Sequence, residues 1–275
     1  MDELLINPQT KVQLRALVAN PPHALLITGP TGIGKYTVAH VVASLLTSAS
    51  HISTVTPDEK GSIGIDVVRS LYQRTRSRTE DRQVVVIDHA ETMGIEAQNA
   101  FLKLLEEPRD GVLFILTATT PTVLLPTIAS RVQTVNLPRV SEKDLTGWLQ
   151  AQNEGIAGQN LTKMLFIASG RPATAARLIA DEAFRDEQQQ LMQEAKQLLG
   201  ASTYDRLQRI NDLCKDRVKL IAVLEAMAQM VKLQMLANAT QKRWHKLAEG
   251  LEVALSRLAQ NGNAKAQVTE LFVNY

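Results

Sequence analysis

Short apolar runs alternate with helically spaced ones through the first half of the chain. Ala24-Leu25-Leu26-Ile27-Thr28, Val84-Val85-Val86-Ile87-Asp88, Val112 to Leu116 and Val132 to Leu137 are continuous and largely β-branched, the signature of strands buried on both faces. Ile52 to Val55 is a shorter candidate inside a Ser- and Thr-rich loop. Between these runs, residues 10 to 20, 38 to 46, 65 to 78 and 97 to 107 place their apolar side chains at helical intervals. Pro21-Pro22 stops the first helix and Pro108 the last. Strands alternating with helices predict a parallel sheet covered on both faces, with its ligand beyond the carboxyl ends of the strands.

After Leu137-Pro138-Arg139-Val140 the strand pattern ceases. Ser141 to Gln152 reads as a helix with a capping-box start, Asp144 following Ser141 by three. Leu161 to Ala168, the turn Ser169-Gly170-Arg171 and the segment Pro172 to Ala180 read as helix, turn, helix. From Asp186 onward the pattern stays helical, with breaks near Gly200, at Asn238 to Thr240 and at Asn261-Gly262-Asn263. Val218 to Leu236 is apolar over a broad face, as in a core helix. The expected division is 1–139, 140–182 and 183–275.

Composition narrows the class. With 45% hydrophobic and 21% charged residues, the 275-residue chain reads as an ordinary globular protein long enough for two or three domains. A net charge of +2 is too small to argue for nucleic acid by itself. Cys214 is the only cysteine, which excludes an internal disulfide and a cysteine-cluster zinc site and fits a reducing compartment. The acidic start MDELLINPQT lacks the features of a signal peptide, and no uncharged apolar run reaches the roughly 18 residues of a membrane span, so the cytoplasm is expected and no membrane contact. His23, His40, His51 and His245 are dispersed and suggest no metal site.

Chemistry concentrates at Gly29-Pro30-Thr31-Gly32-Ile33-Gly34-Lys35-Tyr36-Thr37, between the first strand and the second helix. Glycines let backbone N–H groups turn onto phosphate oxygens, the helix amino terminus adds its dipole, and Lys35 reaches the outer phosphates. The pattern next asks for Ser or Thr to hold Mg²⁺ and finds Tyr36; Thr37 lies about 100° further around the helix. The loop is a candidate for ATP or ADP whose Mg²⁺ position lacks its usual hydroxyl.

Asp88 falls where a Mg²⁺-directed acid follows such a loop; otherwise it only ends a strand. Hydrolysing proteins of this kind usually place a water-orienting glutamate next, and here that residue is His89. Both His89 and Glu91 read as solvent-facing turn residues. Arg69, Arg74, Arg76, Arg78 and Arg82 form a basic concentration that reads either as a solvated helix face or as a contact for the phosphates of DNA.

Gly29 to Lys35, Ile87-Asp88-His89-Ala90-Glu91, Asn99-Ala100-Phe101-Leu102-Lys103-Leu104-Leu105-Glu106-Glu107-Pro108 and Ser130-Arg131-Val132 together resemble the bacterial clamp-loader ATPases of the AAA+ class, and within them the delta-prime branch. The resemblance covers residues 1 to about 180; the remainder matches in being helical. It implies an AAA+ P-loop module, a helical lid and an all-α collar domain. It also implies gamma/tau-like and delta-like subunits, a sliding clamp and primed DNA as partners. Ser130 and Arg131 correspond to the family's Ser-Arg-Cys motif, whose arginine enters a neighbouring subunit's nucleotide site; Val132 replaces the cysteine. Thr117 corresponds to the polar sensor-1 residue or else only ends a strand, and the lid arginine of the family aligns with Ala173, two positions after Arg171. The family's four-cysteine zinc module is absent. Tyr36, His89 and Ala173 therefore imply a subunit that keeps the phosphate cradle without hydrolysing ATP. Two other readings stay open: an active ATPase using Glu91 and Thr37, and a DNA-binding module using the arginine cluster.

Overall fold

The computed structural model describes residues 4–75, 82–152, 157–237, 242–259 and 262–274. The chain divides into two compact units, Met1–Ala180 and Asp181–Tyr275.

In the first unit, α1 (Pro8–Ala19) leads to β1 (Ala24–Thr28), α2 (Lys35–Leu46), β2 (Ile52–Val55), α3 (Ile65–Arg74), β3 (Gln83–Ile87), α4 (Ile95–Glu106) and β4 (Val112–Ala118). A short helix, α5 (Pro126–Ala129), then precedes β5 (Gln133–Asn136). The strands form one parallel sheet ordered β2-β3-β4-β1-β5, with Leu26 of β1 level with Leu116 of β4 and Thr134 of β5. Alternate residues feed the two faces, as the two-residue period of a strand requires. Ala24, Leu26, Val85, Ile87, Phe114 and Leu116 pack under α3 and α4, whereas Leu25, Ile27, Val84, Val86, Leu113 and Ile115 pack under α1 and α2. Phe101 of α4 meets Phe114 edge-on at 5.2 Å between ring centroids, which fastens that helix to the middle of the sheet.

Three helices complete this unit: α6 (Glu142–Gln152), α7 (Gly158–Ala168) and α8 (Pro172–Ala180). The capping interaction expected at Ser141 is formed, since the Asp144 N–H donates to Ser141 Oγ at 3.1 Å and Ser141 Oγ donates to the Asp144 carboxylate at 2.6 Å.

The second unit contains α9 (Glu182–Gly200), α10 (Thr203–Leu213), α11 (Arg217–Ala237), α12 (Lys242–Ala259) and α13 (Ala264–Asn274). Its core gathers around α11, where Leu220, Val223, Leu224, Met227 and Val231 are buried with Leu191, Leu251 and Phe272. Among the described residues α11 is the one helix long and apolar enough to cross a bilayer, and part of that apolar surface lies in this core. The break between α10 and α11 carries no Gly or Pro and is absent from the sequence reading. Arg206, 3% exposed, sits over the end of α9 and donates to Leu198 O and Leu199 O, supplying donors that the last helical carbonyls lack.

Candidate nucleotide site and the arginine opposite it

The loop after β1 has the backbone of a phosphate cradle. Gly32 and Gly34 take φ of +80° and +101°, left-handed values that favour glycine, and Gly34 leads directly into α2. Gly32 also lacks room for a side chain, because a Cβ there would come 2.0 Å from Thr174 Oγ1. Thr31 is exposed, and Ile33 is buried in the core, so a phosphate meets the loop's backbone and not these side chains. Lys35 is 6% exposed and turned back onto the loop, donating to Gly29 O at 2.9 Å and Pro30 O at 3.3 Å. Burial lowers its pKa, opposed first by the negative charge of Glu91 and then by that of Asp88. A buried ammonium at a helix amino terminus, ringed by turned-in backbone, fits the phosphates of a nucleotide.

The metal position is different. Tyr36 is exposed, and its ring lies back along α2 against His40, centroids 4.3 Å apart. Thr37, the other hydroxyl nearby, is also exposed. The arrangement supplies no small hydroxyl at the position that ordinarily holds Mg²⁺.

At the ends of β3 and β4, Thr117 is fully buried and its hydroxyl joins two groups: it donates to Asp88 Oδ1 at 2.5 Å and accepts from the His89 N–H at 3.0 Å. Thr117 thus orients the Asp88 carboxylate. His89 adopts a left-handed φ of +52°, with Nε2 3.8 Å from Asp88 Oδ2 and Nδ1 3.6 Å from Glu91 Oε1. The expectation that Glu91 faces solvent is corrected. Its side chain is 19% exposed, and Oε2 is buried without a hydrogen-bond partner, because the 3-10 turn Ala90–Thr92 rotates it back towards Lys35.

The start of α8 packs on the loop through its backbone. The Thr174 N–H donates to Gly32 O at 3.0 Å, and the Ala173 methyl lies 3.7 Å from where a Gly34 Cβ would stand. An arginine at position 173 would begin beside the cradle; alanine ends there. Arg171 donates through Nε to Ala168 O and through Nη2 to Ile167 O, so these donors cap α7.

Ser130 and Arg131 lie elsewhere. They precede β5, whose first residue Gln133 is level with Leu25, whereas the phosphate loop follows Thr28 at the other end of β1. At about 3.3 Å of rise per strand residue, the four residues from Leu25 to Gly29 put roughly 13 Å along the strands between the start of β5 and the loop. Sequence reasoning also missed Gln98, buried, which donates to Met93 O at 3.0 Å and accepts from the Leu125 N–H at 2.8 Å, joining the start of α4 to the segment that leads to Arg131. Its place beside Ala97 on the buried face of α4 was the available signal. Of the basic concentration, Arg69 pairs with Asp66 at 3.7 Å; Arg76 and Arg78 lie outside the described residues. Among the described residues no cluster of His, Cys, Asp and Glu is arranged to hold a metal.

Comparison with known proteins joins these features. Residues 48–141 match the family model described as DNA polymerase III, delta subunit. The chain is 30% identical over 206 residues to DNA polymerase III subunit delta' of Pseudomonas aeruginosa, covering 66% of this chain and 62% of that protein. With the delta' subunit of Haemophilus influenzae the identity is 27% over 195 residues, covering 62% and 59%. The chain is a clamp-loader delta-prime-like protein. The matched region spans about three fifths of the length of these relatives. A DNA polymerase III gamma subunit-related protein of Thermotoga maritima shares the fold of this delta-prime-like chain, with a TM-score of 0.54 at 21% identity over 96% of this chain and 97% of that one.

Proposed function

We propose that this delta-prime-like chain is a subunit of a DNA polymerase III clamp loader that helps place the sliding clamp on primed DNA. In this reading it donates Arg131 to a neighbouring subunit's ATP site and does not hydrolyse ATP itself. One observation carries the proposal: Arg131 stands at the end of the sheet opposite the chain's own phosphate loop, so it serves a site only across a subunit boundary. A guanidinium delivered there neutralises charge on the transferring phosphoryl group, an effect on the order of 10³ to 10⁵ in rate where such fingers have been removed. The cradle of Gly29, Gly32, Gly34 and Lys35 holds the phosphates of ATP or ADP, with Asp88 and Thr117 at its edge. When bound, a nucleotide supplies charge that braces the loop and the lid. Tyr36, His89 and Ala173 leave the metal hydroxyl, the water-orienting acid and the lid cation unfilled. Gamma/tau-like and delta-like subunits are the partners, and the helices of 183–275 form the collar that meets theirs; the lid is assigned to 140–182. In the test, the purified chain turns over no ATP and Arg131→Ala lowers the turnover of the reconstituted loader; normal turnover by the mutant complex refutes the finger.

Glu91 favours a second reading, an active ATPase, because its partnerless Oε2 is buried near Lys35. Turnover by the isolated chain that disappears in Glu91→Gln and in Lys35→Ala would establish it over the first.

A further inference from the structure

Two of the stretches that carry the family resemblance, Asn99 to Pro108 and Ser130-Arg131-Val132, meet at the amino end of the sheet. Glu106 Oε1 lies 3.2 Å from Arg131 Nη2, while Arg131 Nη1 donates to Thr127 O at 3.1 Å and to Ser130 Oγ at 3.4 Å. Thr127 is four residues earlier, so the side chain curls over its own short helix α5 instead of extending from the surface. A finger needs the opposite pose, with its planar fork of donors aimed at a phosphate.

We propose that Glu106 is a positioning residue that holds Arg131 retracted until a neighbour's nucleotide phosphates compete for the guanidinium; this rests on the finger reading above. The two side chains are 40% and 46% exposed, which suits a contact made to be exchanged. A solvent-screened pair of this kind shifts an equilibrium about 1.4- to 5-fold. A phosphate with several charged oxygens accepts the same fork bidentately and outbids one carboxylate. Thr127 O and Ser130 Oγ give the retracted pose its direction, and Glu106 gives it the charge.

Two measurements decide. In the full chain alone, nitrogen-15 spectra of the Arg131 guanidinium show separate Nη signals while Glu106 restrains its rotation, and Glu106→Gln merges them. In a loader reconstituted with its ATPase subunits, Glu106→Gln raises ATP turnover at limiting ATP by up to about fivefold, and the gain vanishes when Arg131→Ala is added. Unchanged spectra, lower turnover in Glu106→Gln, or a gain that survives Arg131→Ala overturns the proposal. If Arg131→Ala alone leaves turnover intact, the finger reading falls, and the spectra still decide whether the carboxylate restrains the guanidinium.

Discussion

At the carboxyl end of the sheet, Gly32, Gly34 and Lys35 keep the shape of a phosphate site, with Tyr36 exposed beside it, His89 in a left-handed turn and the Ala173 methyl against Gly34. At the amino end of the same sheet, Arg131 presents a half-exposed guanidinium held by Glu106, Thr127 and Ser130. The difference is chemical more than geometric. A cradle is built from backbone and depends on glycines and one lysine, so it survives the loss of neighbouring side chains. A finger is one side chain on a short helix, and its value depends on whose nucleotide it meets.

The strongest way to disturb both ends together is Phe101→Ala, since Phe101 ties α4 to β4 and α4 carries Glu106. Denaturant unfolding should show a loss of about 3–5 kcal/mol. Gly32→Ala breaks only the carboxyl end. The left-handed φ and the approach of Thr174 make it cost about 1–3 kcal/mol, with nucleotide binding, read by calorimetry, lost while Arg131 is untouched. Thr117→Val leaves a carboxylate oxygen and the His89 N–H without their partner and should cost about 1–3 kcal/mol by the same unfolding measurement. The smallest effect is in pH. Folding lowers the pKa of Lys35, so between that lowered value and the ordinary 10.5 the unfolded chain binds more protons. Stability contributed through this group therefore rises with pH in that window, and Lys35→Met should flatten the rise in denaturation midpoints.

Much of this architecture is legible in the sequence. The runs Ala24–Thr28 and Ile52–Val55 form strands with those bounds. The cradle follows from its glycines and lysine. What local pattern does not carry is direction after a turn: Glu91 is four residues past a strand, and only the left-handed backbone at His89 and the turn after it send its carboxylate inward. The Glu106 to Arg131 pair and the Gln98 staple join residues more than twenty positions apart through the sheet's topology, beyond any periodic signal. The stop at Cys214 to Asp216 escapes notice for a related reason, since helices can end by packing without Gly or Pro.

One comparison tests whether the chemistry resides at the amino end and not at the cradle. ATP turnover by the reconstituted loader is measured with Lys35→Ala and with Arg131→Ala, each placed in this chain alone. The account predicts that Arg131→Ala loses most of the turnover that depends on this subunit, while Lys35→Ala loses nucleotide binding by this chain and keeps the turnover. Loss in Lys35→Ala equal to or greater than that in Arg131→Ala would contradict it.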